Sequence, residues 1–388
     1  DFGSKRFADM RDMLSFAWRF RDAAGRFNDV YDMLTMSAYD YLRRWFESDA
    51  AMVALGYYPA GAAGQSVSIH TPGTAYLLLR SELRDSTTPA GGTGLVRGGL
   101  GTVTGAIAQS GRRFGLETRT DAKVAAITVR DGRATAVVLE SGEEIAAKAV
   151  IANADARSVF LKLLDPKVLP DDLMTRIRGY RSRFTSFKIH LALAELPRYR
   201  GFDAAAAGFP YPAQMRIAPS LDYMEAAYTD MLRGKVSERP FLTVMAPTVV
   251  DPGLAPAGHH ILSVYGGHVP VADPLVDDID REALYATACR VISEFAPGFE
   301  ASVLHRQILT PWDYQEIFAL PGGHPHQGDI GLDQLFFRRP VPHSADYRTP
   351  VRGLYLCGSS SHPGGGVTGV PGHNAARVVL RDWKRKLN

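Results

Sequence analysis

The stretch GLYLCGSSSHPGGGVTGVPGHNAA, residues 353–376, decides how this sequence is read. It opens on a short apolar strand, runs through three consecutive glycines at 364–366, and enters a helix. Six of the fifteen residues from 358 to 372 are glycine. Glycine lets a backbone approach a ligand without a Cβ in the way. The N–H groups at the start of the following helix have no intrahelical partner and carry partial positive charge. Strand, glycine turn and helix together make a cradle for an anion or a dinucleotide.

Working outward, the next clear region is β-rich. VAAITVR (124–130), ATAVVLE (134–140) and AVIAN (149–153) are rich in β-branched residues, and LETRT (116–120) is expected to join them. Asp131-Gly132 between two apolar runs marks a hairpin. Beyond 155, strands are expected at 187–193, 241–247 and 260–266. A helix over 280–296 is entered from an aspartate and stopped by Pro297-Gly298. The last helix spans 372–387. Towards the N-terminus, apolar residues at helical spacing predict amphipathic helices over 4–26 and 28–47. Thr71-Pro72-Gly73 opens another, and a further helix covers 102–114. The fold class is α/β with mixed α+β character.

Composition sets the bounds. The 388 residues carry 44 basic and 41 acidic side chains, a net charge of +3, with no Lys/Arg-rich run. That balance gives no nucleic-acid footprint. Cys289 and Cys357 are far apart and form no C-x-x-C pair, which excludes a dithiol redox motif and fits a cytoplasmic compartment. No apolar run reaches the roughly 18 residues of a spanning helix. The basic amphipathic start, with Arg6, Arg11, Arg19 and Arg21, suits peripheral contact with a membrane surface. His324 and His326 have no carboxylate or cysteine at ligand spacing, and no metal site is expected there.

The 353–376 segment resembles the C-terminal FAD-binding signature of the phytoene-desaturase-like flavoproteins. The resemblance extends in order to TPGTAYLLL (71–79), VRGGLGTVTGAIA (96–108), the β-meander 120–155, APGFEASVLHRQILTPWD (296–313) and IFALPGGHPHQGDIGLDQLFFRRPVP (317–342). It implies the two-domain FAD/NAD(P)-binding fold of the amine oxidases and phytoene desaturases, with FAD as cofactor. The discontinuous FAD-binding domain would comprise 88–155 and 340–388. The substrate domain would comprise 1–87 and 156–339. In such proteins the glycine turn lays backbone N–H groups against the flavin. Gly358, Ser359, Gly365, Gly366, Val367 and Gly369 are the matching positions. Gly98, Gly99 and Gly101 would lie close to the ring, and the backbone of Val124 would meet the adenine. His362, the one titratable side chain in the turn, is the candidate acid or base, or a histidine that shapes the turn. A eukaryotic source would suggest the mitochondrion.

One part of the pattern is missing. A Rossmann-type site needs G-x-G-x-x-G between a strand and a helix. The closest text here is Gly92-Thr-Gly94, with Arg97 in third place. The N-terminal βαβ unit is therefore expected upstream of Asp1, so that the chain reads as part of a longer enzyme. The alternative is a natural protein without that half, completed by a partner or a homo-oligomer. The expected function is FAD-dependent dehydrogenation of an apolar small molecule. Two rivals stay open: amine oxidation, and non-catalytic binding as in the GDP-dissociation inhibitors, which share the fold. Some relatives of the wider superfamily place a lysine near the flavin, and none lies in the glycine-rich segments here. At several further positions the sequence departs from the family pattern, among them Arg80-Ser81, Thr93, Leu95 and His373.

Overall fold

Ser37 divides the helix expected over 28–47 into two. The computed structural model, which describes residues 21–62, 67–80, 95–342, 344–385 and a few positions between 10 and 18, shows α1 (Phe27–Thr35) and α2 (Ala38–Arg43). The Ser37 hydroxyl accepts a hydrogen bond from the Asp40 N–H at 3.0 Å. This N-cap competes with a continuous helix and wins. Most of the helix expected over 4–26 lies outside the described residues. α3 (Asp49–Gly56) follows. Leu42, Met52 and Tyr57 pack with Leu221, Met224 and Phe241 into one core. The helix expected from Thr71 is a turn, with helix only over Tyr76–Arg80.

After α4 (Gly101–Arg112) comes an antiparallel meander of β1 (Val124–Arg130), β2 (Arg133–Leu139) and β3 (Glu144–Ala146). Asp131 and Gly132 both have positive φ, 49° and 71°, as the D-G hairpin signal requires. LETRT is not a strand. Its five residues are exposed, and no strand among the described residues pairs with them, so their backbone groups turn to water. β4 (Val150–Ala152) leads into a helical turn at Ala156–Ser158, a wider turn at Val159–Leu163, and α5 (Asp171–Arg178).

A five-stranded antiparallel sheet fills the middle of the chain. Its strands are β5 (Ser186–Leu193), β6 (Gln214–Ile217), β7 (Phe241–Met245), β8 (His260–Gly267) and β9 (Val303–Leu309), in the order β6-β7-β8-β5-β9. Sequence reading passed over β6 and β9, whose residues are mostly half-buried or exposed and carry no long apolar run. α6 (Leu221–Leu232) lies between β6 and β7, and α7 (Arg281–Phe295) between β8 and β9. Alternation along β5 sends Phe187, Ile189, Leu191 and Leu193 to one face. There they pack on Leu284, Ala288, Val291 and Ile292 of α7. The opposite face carries Ser186, Lys188 and His190.

α8 (Pro311–Phe318) follows β9. Near the C-terminus β10 (Leu354–Leu356) pairs in parallel with β4, Leu354 opposite Val150 and Leu356 opposite Ala152. The chain thus returns across about two hundred residues to the end of the meander, and Ala134 N–H donates to the Arg352 carbonyl at 2.9 Å. Ile127, Ala134, Phe160, Ile177, Leu354 and Leu356 share one core. α9 (Val370–Lys384) starts two residues before the position expected from sequence. Pro371 fits its first turn, where a missing N–H costs nothing. No helix among the described residues is long and apolar enough to cross a membrane.

Candidate functional site

Between β10 and α9 the chain makes the glycine-rich turn. Cys357 N–H donates to the Ala152 carbonyl, which carries the parallel pairing one residue past β10. Gly358 then passes through a gap that no side chain would fit. A Cβ there would stand 2.5 Å from the Asn153 carbonyl and 2.6 Å from Gln327 Oε1. Gln327 closes this corner. Its Oε1 accepts from the Ser360 N–H at 3.0 Å and from the Ser360 hydroxyl at 3.1 Å, and its Nε2 donates to the Asn153 carbonyl. The Ser360 Oγ in turn accepts from Ala156 N–H.

Beneath the turn sits Arg339, with no exposed surface. Its guanidinium donates to five carbonyls, those of Ser359, Asp329, Gln334, His326 and Gly328, at 2.7–3.4 Å. A planar fork of five N–H donors suits such a cage better than a point charge would. Gly365 lies so close to the imidazole of His326 that any Cβ would collide with it. The turn is therefore pinned on its inner side by 326–339, the stretch that carries Gln327 and Arg339.

The outer side is open. Gly366, Val367, Thr368, Gly369 and Val370 are all exposed. Val367 is 80% exposed and holds φ 56°, a conformation that branched residues avoid. Gly369 precedes α9 without a side-chain cap of its own; the Val370 N–H donates to the Thr368 hydroxyl at 3.2 Å, Pro371 has no N–H, and the Gly372 N–H is left at the helix start. Two buried polar atoms at the base of the turn, Ser361 Oγ and His362 Nδ1, have no hydrogen-bond partner among the described residues. Burial, helped by the nearby Arg339 charge, lowers the His362 pKa, so its ring is neutral at pH 7. Its carbonyl takes the Tyr347 hydroxyl at 2.8 Å, and Asn374 donates to that hydroxyl.

A chain of ring contacts leads from this turn to the polar face of the central sheet. His326 stands 5.8 Å from His324, His324 6.1 Å from Phe184, and Phe184 6.2 Å from Tyr265. Tyr265 is directly opposite Lys188 across β8 and β5, and so shares its face. Lys188 is partly buried and has no ion pair or hydrogen bond among the described residues. Burial lowers its pKa. A single cation alternating with apolar residues in FKIHLAL was the signal that sequence reading passed over. Next along the face is His190, also lowered, by burial and by the Lys188 charge.

The structure therefore gathers Gly358, Ser359, His362, Gly365, Gly366, Val367 and Gly369 on one turn. It does not join the other expected positions to it. Gly98 N–H donates to Asp251 at 2.6 Å, beside the segment that packs on β8, and Gly99 and Gly101 are on the same exposed entry to α4. Val124 opens β1 opposite Leu139, at the end of the meander away from Arg352. No hydrogen bond among the described residues links these four to 358–369.

The turn fits a flavin on two counts: an exposed glycine-rich backbone at 366–369, and two buried polar atoms at its base without partners among the described residues. Comparison with known proteins agrees. Residues 77–380 match the family described as flavin containing amine oxidoreductase, whose cofactor is FAD. Pyridine nucleotide-disulfide oxidoreductase domain-containing protein 2 of Rattus norvegicus is 37% identical over 373 residues, covering 94% of this chain and 64% of that protein. A neurosporene-forming phytoene desaturase of Rhodobacter capsulatus is 27% identical over 346 residues, covering 87% of this chain and 61% of the desaturase. Among solved structures, putrescine oxidase bound to putrescine superimposes with a TM-score of 0.57 at 15% identity, over 98% of this chain and 77% of the oxidase. An oxidoreductase from Methanosarcina mazei gives 0.56 at 16%, over 97% and 75%. At such identities these two show a shared fold. The chain spans about 64% of the length of the curated rat relative.

Proposed function

Because this chain belongs to the flavin-containing amine oxidoreductase family, we propose that it forms the substrate domain and part of the cofactor site of an FAD-dependent enzyme that dehydrogenates an apolar small molecule. Residues 88–155 and 340–388 are assigned to the cofactor, and 1–87 and 156–339 to the substrate. The observation that carries this reading is the glycine-rich turn 364–369, exposed over 366–369, pinned from behind by Arg339 and Gln327 and continued into α9.

FAD supplies a ring that accepts hydride from a C–H or C–N bond. The protein's part is to hold, orient and keep water out. The exposed glycine-rich backbone of 366–369 borders the space where the ring would lie. The aromatic path through His324, Phe184 and Tyr265 gives a largely apolar wall between that space and the central sheet. A neutral His362, with its Nδ1 unoccupied, holds a place for a proton at the base of the turn. The phytoene desaturase relative favours an apolar, extended substrate.

Lys188 favours a second reading, amine oxidation. A lysine whose pKa burial lowers, on the sheet's polar face, is suited to hold a water or to take a proton from a substrate ammonium when deprotonated. Anaerobic mixing of the FAD-loaded enzyme with phytoene in one cell and with putrescine in another separates the two. Bleaching of the flavin absorbance by phytoene alone supports dehydrogenation. Bleaching by putrescine alone, with peroxide released on admitting air and loss of the signal in Lys188→Met, supports amine oxidation and overturns the first reading.

A further inference from the structure

A cavity of about 390 Å³ opens between the turn at Val159–Leu163, the end of α5 and the loop 271–275. That volume is within the range of small-molecule sites. None of residues 358–369 lines it, so it is separate from the glycine-rich turn. Its walls bring together five cations, Arg157, Lys162, Arg178, Arg181 and Arg183, against one acidic residue, Asp273. Two of the five are already paired. Arg181 binds Asp333 through two hydrogen bonds of 2.8 Å, and Arg183 lies 3.5 Å from Asp273. Arg157, Lys162 and Arg178 form no ion pair and no side-chain hydrogen bond among the described residues.

Arg157 sits in the helical turn capped by Asp155, whose buried carboxylate its charge favours without an ion pair between them. Arg178, in the last turn of α5, is favoured by its own helix, but it points its charge into the same cavity. Three cations without an ion pair among the described residues surround one concave space, and an anion entering it relieves their mutual repulsion. The rest of the lining is mixed, with Ser182 and Gln315 beside the apolar Leu161, Val271, Pro274 and Leu275. A bare inorganic ion would leave that surface unused.

We propose that this cavity binds a small organic anion, with a carboxylate or phosphate head held by Arg157, Lys162 and Arg178 and a short apolar body against Leu161 and Leu275. The site does not depend on the flavin reading, since it shares no lining residue with the turn. It does touch the turn's support indirectly. Tyr180 lines the cavity floor, and its hydroxyl donates to the Gln327 carbonyl at 3.1 Å.

Calorimetric titration of the protein with octanoate, octyl phosphate, octyltrimethylammonium and inorganic phosphate tests this. The expected result is saturable 1:1 binding of octanoate or octyl phosphate, at least tenfold tighter than of octyltrimethylammonium or inorganic phosphate. Octanoate alone would identify a carboxylate site, octyl phosphate alone a phosphate site. The double substitution Arg157→Gln with Arg178→Gln removes no internal bond, and should weaken binding at least tenfold while leaving the circular-dichroism melt unchanged. Leu275→Asp gives a second variant with the same expected loss. Failure of both octyl anions to bind, equal binding by the double variant, or equal binding of the octyl cation each overturns the proposal. Inorganic phosphate binding as tightly as octyl phosphate overturns the role of the apolar wall.

Discussion

The Nε–H of Arg339 donates to the carbonyl of Ser359 at 2.9 Å, and together with the Gln327–Ser360 bonds it ties the stretch 326–339 to the glycine-rich turn. The same guanidinium holds four more carbonyls, so the shape of the turn depends on a side chain that no solvent reaches.

Arg339→Met should therefore destabilise the protein by about 3–5 kcal/mol, since it strands buried carbonyls that had charged donors. Arg339→Lys should recover only part of this, because an ammonium cannot span the fork. Urea denaturation of the three proteins checks it. A methionine variant as stable as the parent would show that the cage is incidental.

Acid should weaken the fold through its buried histidines. His268 has no exposed surface, and its Nδ1 meets the Thr185 hydroxyl at 2.9 Å. Gly61 packs directly on its ring. Burial holds its pKa down at about 4, below the ordinary 6.5, so the unfolded chain takes up the proton first as pH falls. The stability it contributes is complete above about pH 6.5 and is lost as pH drops towards 4, by roughly 3 kcal/mol. Buried Asp155, whose pKa is raised by burial, works the other way, with stability that is full at low pH and is lost as pH rises. The difference between the parent and His268→Asn isolates the histidine. The pH slope between about 6.5 and 4 should be shallower in the variant. Identical slopes would contradict the assignment.

Val367 should be a site where fold and function disagree. It is exposed and held at φ 56°, so Val367→Gly removes strain without losing packing. The variant should be at least as stable as the parent, by up to about 1 kcal/mol, once the added freedom of the unfolded glycine is set against the relief. Flavin affinity should fall at least threefold in a fluorescence titration, because the held amides loosen. A variant that is both less stable and unchanged in flavin affinity would place Val367 outside the site.

Much of this was legible in the sequence for physical reasons. The glycine run 364–366 with a helix after it, and the Asp131-Gly132 hairpin, are local signals whose backbone demands few other residues meet. The supports of the turn were not legible. Arg339 reads as one of two adjacent arginines in FFRRP, and only the folded chain shows that it is fully buried while Arg338 is half-buried. Gln327 sits thirty-three residues from its partner Ser360. Lys188 shows up only when β5 pairs with β8 and its face is seen to be covered. Helix ends failed for local reasons as well. The cap at Ser37 is a short local signal, and the apolar periodicity that continues on both sides of it hides the break.

The central claim is that this turn receives a flavin. Titrating the protein with FAD and, separately, with riboflavin, while following flavin fluorescence, tests it most directly. The account predicts saturable quenching with both, since the turn would contact the ring end that the two share, and weaker quenching in Val367→Gly. No saturable quenching with either flavin would contradict it.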